Sequence, residues 1–220
     1  MGFLDEYSIS LEDEMKYDAV KRVYMHLCLT LTLTAVISYA MYGRIEVTTD
    51  ASYFVVPYVL SIILLITLFC VKHSTMASLI VLYSFVFCFS FCIGFIVSSY
   101  EADAITAAVF LTGTIVLVLT GMVWSGKISY TITNQCMGMA MTLLIMSWVM
   151  LWLFPAVTGM STLYCILGAF IFSLFLIGDT ARLMHMHIDQ LETEWAIVVV
   201  DLYLDIINLF LYILQILGKK

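Results

Sequence analysis

Apolar runs near the length of a bilayer crossing follow one another along the chain, at positions 23–41, 53–71, 75–98, 104–124, 137–154, 163–178 and 196–217. A hydrocarbon core takes about 20 helical residues to cross, and a helix satisfies its own backbone hydrogen bonds where no water is present to do so. Seven transmembrane helices are therefore predicted. The seventh differs from the others. In VDLYLDIINLFLYILQILGKK, Asp201, Asp205, Asn208, Tyr212 and Gln215 recur at alternating steps of four and three, which keeps them on one face of a 3.6-residue helix. A charged residue at the centre of a span costs about 2.5 to 3.5 kcal/mol on insertion scales, so such residues face a bundle interior or a watery path and mark function.

Composition agrees: of 220 residues, 63% are hydrophobic and 11% charged, and the mean hydropathy is +1.07. A soluble globule could not bury so much apolar surface. The short connections leave no room for a second folded domain, so residues 1–22 read as an acidic cytosolic tail and 23–220 as one seven-helix domain. The tail has six acids against three bases and no cleavable apolar leader. Glu6, where a myristoylation motif needs Ser or Thr, argues against lipidation at Gly2.

Basic residues set the orientation. With the N-terminus cytosolic, Lys16, Lys21, Arg22, Lys72, Lys127 and Arg182 lie inside and Arg44 outside. Lys219 and Lys220 run against this bias unless the last helix stops short of a full crossing. The net charge of −7 comes without any basic cluster to grip nucleic acid, which excludes that partner. The six cysteines lie within spans or, like Cys136, at an edge, and read as small packing residues rather than a disulfide framework. Cys88 and Cys92 share a helix face but lack further ligands for a soft metal. Thr30, Thr32 and Thr34 can return their hydroxyls to their own helix's carbonyls. Trp124, Trp148, Trp152 and Trp195 fall roughly where aromatic belts form. His26 reads as packed, and His185 and His187 are two apart and share no helical face. Pro57 is the one candidate for a kink, and Pro155 lies in a turn.

The chemistry concentrates where the sixth span ends in LFLIGDTARLMHMH, which puts Asp179 at the cytosolic boundary 26 residues before Asp205. A short connection folds the chain back so that the two can meet. Two carboxylates close together in a poorly hydrated site cannot both ionise freely, and they titrate as a coupled pair. Their oxygens, with Asn208, backbone carbonyls and water, also suit a hard cation such as calcium, so proton and calcium would compete for one place. The plainer alternatives are that Asp179 ends its helix and pairs with Arg182, and that Asp205 and Asn208 form an interhelical hydrogen-bond knot. Asp201, one turn nearer the cytosolic loop, can be hydrated there.

DLYLDIINLFLYILQILG is similar to the C-terminal signature of the Bax inhibitor, or transmembrane Bax-inhibitor-motif (TMBIM), family, whose final helix reads LYLDxxNLF. Weaker likeness appears in GDTARL, in VKRVYMHL and in FLTGTIVLVLTGMVWSGKIS, so the resemblance covers most of the chain. It implies an all-α integral membrane fold in which six helices surround the seventh, a cytosolic N-terminus and a pH-sensitive calcium leak from an internal store or across a bacterial inner membrane. It further implies a role in calcium homeostasis and cell-death suppression. The family's paired acidic sensor falls on Asp179 and Asp205, which would also be the calcium-ligating residues, with Asp201, Asn208 and Tyr212 lining or supporting the path. Some members latch the pair with an Arg near the end of helix two. Here Lys72 and His73 stand nearest, and neither offers the bidentate fork of Arg; Arg182 is the other candidate. Asp201 departs from the small or neutral residue common at its position.

Calcium is thus expected as permeant ion, with no cofactor, and the expected partners are the lipid bilayer, protons and apoptosis-regulating membrane proteins. A proton-coupled calcium exchanger would use the same carboxylates, and a membrane adaptor binding apoptosis regulators or a membrane protease is a further alternative. An enzyme is not expected. The Gly178-Asp179 pair is similar to the G-x-G-D motif of intramembrane aspartyl proteases, but Leu176 replaces the first glycine and the aspartates come in the wrong order. A seven-helix receptor lacks its motifs here, and a retinal protein lacks a lysine in mid-helix seven.

Overall fold

The computed structural model describes residues 2–42, 52–126, 130–153 and 162–218. Among these, seven α-helices and no strand occur: α1 (Gly2–Met41), α2 (Ser52–Val71), α3 (Thr75–Val97), α4 (Ala102–Trp124), α5 (Tyr130–Leu153), α6 (Thr162–His185) and α7 (Ile188–Leu217). Every apolar run expected to span appears as a helix. The chain is a multi-pass membrane protein: α1 from Glu14 onward, α2, α3, α4, α6 and α7 are each long and apolar enough to cross a bilayer. Arg44, Lys127, Pro155, Lys219 and Lys220, and the side chains of Cys136, Trp148 and Trp152, lie outside what is described.

Two helices run past the apolar segments that announced them. The first begins at Gly2, inside the stretch assigned to the tail, and the last begins at Ile188, well before Ala196. Hydropathy measures the thickness of hydrocarbon, whereas helical hydrogen bonding continues into water. Between α2 and α3 the connection is only Lys72, His73 and Ser74. Helix α4 ends on Gly126, whose φ of +68° is left-handed and free of Cβ strain, while its N–H returns to the Val123 carbonyl at 3.0 Å.

The chain divides into two compact units, each taking part of the last helix. The first comprises residues 1–99 and 186–203, the second residues 100–185 and 204–220. In the first, α3 packs against both α1 and α2; in the second, α6 packs against α4 and α5. Ala140, Ile171 and Phe175 are buried at the α5–α6 seam, with Met137, Leu144, Phe172 and Leu174 against them. Helix α7 is the most fully buried of the six candidate spans.

Threonines on α1 behave as their spacing suggested. Thr30, Thr32 and Thr34 donate to the carbonyls of Leu27, Cys28 and Thr30 at 2.8, 2.7 and 3.0 Å. Thr34 does more: its Oγ1 lies 2.8 Å from the hydroxyl of Tyr203, and Ser90 Oγ lies 3.0 Å from the same Thr34 oxygen. Ser90 is also placed to donate to Val86 O at 2.6 Å. With both smaller hydroxyls spending their protons on helix carbonyls, Tyr203 is the donor that ties α7 to α1. Its ring, 0% exposed, meets Phe85 and Phe89 edge-on, each at 6.2 Å between centroids.

Candidate functional site

Asp179 and Asp205 both belong to the second unit, one on α6 and one on α7. Each is nearly withdrawn from solvent, at 9% and 6% exposed, and their carboxyls lie within hydrogen-bonding reach of each other. An ionised carboxylate only accepts, so a hydrogen bond between two of them requires a proton on the pair. Arg182, on α6 with Asp179, acts on that carboxyl through its charge. The local sequence explains the placement. Gly178 precedes Asp179, and a Cβ there would lie 2.7 Å from Met137 Sδ, so the absence of a side chain lets α5 come close beside the acidic residue.

The other residues singled out in the sequence distribute as follows. Asn208 and Tyr212 continue the stripe in the second unit and are half-buried, while Gln215 is exposed. Asp201, also half-buried, lies in the first unit. Lys72 extends from the end of α2 to Glu194 on α7, 2.8 Å away, and Gln190 donates to the second oxygen of that carboxylate at 3.3 Å. His73 is exposed in the α2–α3 turn, and His187 is exposed before α7. Nδ1 of His185 lies 2.9 Å from Ala181 O. Among the described residues, no three His, Cys, Asp or Glu side chains converge as a metal cluster.

Among what sequence reasoning missed are two constellations in the first unit. One is the Tyr203 tie. The other is His26, whose Nδ1 meets the Tyr83 hydroxyl at 2.9 Å and whose ring lies 4.7 Å from that of Trp195. A buried Tyr or Trp in an apolar helix usually has a polar partner, which was the available signal, but it does not say which distant helix supplies that partner.

The pattern of the family described as "Inhibitor of apoptosis-promoting Bax1" matches residues 17–220. This chain is a member of the Bax inhibitor family. Among similar Bax inhibitor relatives, "Protein lifeguard 4" of Mus musculus is 28% identical over 94% of this chain and 93% of its own. "Golgi anti-apoptotic protein" of Vaccinia virus (strain Lister) has the same identity and coverage. "Bax inhibitor 1" of Schizosaccharomyces pombe is 24% identical over 76% of this chain and 61% of its own. The family match includes every residue of the acidic pair and of the α7 stripe.

Proposed function

We propose that this Bax inhibitor protein suppresses cell death by passively leaking calcium from an internal membrane store, under control of a proton shared by Asp179 and Asp205. The observation that carries the reading is the meeting of two nearly buried carboxyls from different helices. Relatives named for opposition to apoptosis support the cellular role. Six of the seven Lys and Arg residues other than Lys219 and Lys220 fall on the N-terminal side of the predicted spans, which supports a cytosolic N-terminus.

With a proton, the pair carries one negative charge and its oxygens hold each other. Without it, two charges repel and attract a divalent ion. Calcium and proton are then linked ligands of one site, and calcium binding releases a proton. The sign follows from linkage: raising calcium favours the deprotonated pair, so the pH midpoint of flux moves to more acid values as calcium increases. Asn208 lies on the same face of α7 as Asp205 and supplies an oxygen along the path.

Reconstitution in liposomes loaded with a calcium dye tests this directly. Wild type should pass calcium without an opposing proton gradient and with a pH-dependent rate. Asp179→Asn and Asp205→Asn should each flatten the pH profile. Profiles superimposable on wild type at every pH would refute the shared-proton gate, and flux that requires a proton gradient would replace the leak by exchange.

A further inference from the structure

The polar face of α7 does not end at the acidic pair; Asn208, Tyr212 and Gln215 continue it. What opposes that face on α6 changes along the way. Across from Asp205 stands another carboxyl, whereas Tyr212 meets a glycine. A Cβ built on Gly168 would lie 2.5 Å from Cε1 and Cζ of Tyr212, so the ring rests directly against the α6 backbone. Only a residue without a side chain permits that approach.

The ring is also held around its rim. Phe172 lies nearly parallel to it, at 5.8 Å between centroids and 28° between planes. Tyr164 meets it edge-on at 6.2 Å and 62°, with its hydroxyl in hydrogen-bonding reach of the Tyr212 hydroxyl. Farther along the two helices, Cys165 Sγ donates to Gln215 Oε1 at 3.4 Å. An otherwise oxygen-bearing stripe is therefore interrupted by a wall of aromatic carbon, seven residues from Asp205, or roughly 10 Å along the helix axis.

We propose that Tyr212 is a second, aromatic gate on the cation path, with Gly168 as its seat and Tyr164 as the partner that draws it back. This deepens the reading of the acidic pair as part of a calcium route and rests on it. The ring offers a cation one hydroxyl in place of the several oxygens of its hydration shell. A hydrated divalent ion therefore passes only when the ring swings off Gly168. Such a gate fixes the size of what passes and is indifferent to the charge on the pair.

The full-length chain in dye-loaded liposomes tests the gate, with Tyr212→Ala compared against wild type for calcium flux across pH and for the size limit of permeant organic cations. Tyr212→Ala should raise calcium flux several-fold even at the pH where wild type conducts least. It should leave the pH midpoint in place and admit a bulky cation such as N-methylglucamine that wild type excludes. Should Tyr212→Ala fail to fold, Tyr212→Leu carries the same test through the size limit, which a merely structural role would not move. Unchanged flux and size limit, in a protein whose pH profile still responds to Asp205→Asn, would overturn the gate and leave the acidic pair standing. An unresponsive Asp205→Asn would bring down both.

Discussion

Changing Tyr203 to Phe removes one hydroxyl and keeps the ring against Phe85 and Phe89. Because Thr34 and Ser90 can direct their own protons to Thr30 O and Val86 O, no donor is stranded. The loss should stay near 0.5 to 1.5 kcal/mol, the range for a single buried hydrogen bond. Tyr203→Ala empties a fully buried site and should cost about 3 to 5 kcal/mol; thermal unfolding in detergent, read for both variants, separates the two contributions. Gly168→Ala sets a helix-propensity gain of up to about 1 kcal/mol against overpacking of about 1 to 3 kcal/mol. A net loss in the same assay is expected, because an Ala Cβ would push the Tyr212 ring off its seat and out of its contacts with Tyr164 and Phe172. At this scale the acidic residues were legible, since a carboxylate in an apolar run demands an explanation. Tyr203 was not: aromatic residues fill apolar helices routinely, and its hydroxyl partner Thr34 lies 169 residues away.

Helix ends show the same division between what a local pattern carries and what it omits. Hydropathy found all seven helices but could not see α7 begin at Ile188, because its first turns bear Asp189, Glu192 and Glu194. Those polar turns make a contact no span prediction contains, the Lys72–Glu194 ion pair between the end of α2 and the start of α7. Both side chains are partly solvated, so the pair should contribute about 0.2 to 1 kcal/mol. A double-mutant cycle with Lys72→Met and Glu194→Gln measures it. Additivity within experimental error would mean that the 2.8 Å contact contributes nothing beyond its packing.

Considered whole, the molecule was legible in class and illegible in partition. Composition alone required a membrane, and the recurrence of apolar runs required helices. The basic residues predict that a tag at the N-terminus is reached by reagents from the cytosolic side only; protection there, with labelling of the 43–51 connection instead, would invert the topology. No linker, proline-rich stretch or charge run marks the two units, because their boundaries fall within a continuous helix at residues 203 and 204 and at the helix connections near residues 99 and 186.

That interleaving bears on biogenesis. Neither unit is covalently complete until the ribosome has passed residue 186, and the unit holding the acidic pair also needs residues 204–220. A message interrupted before the last helix would therefore yield no finished half, only membrane-inserted segments that expose unfilled seams to quality control.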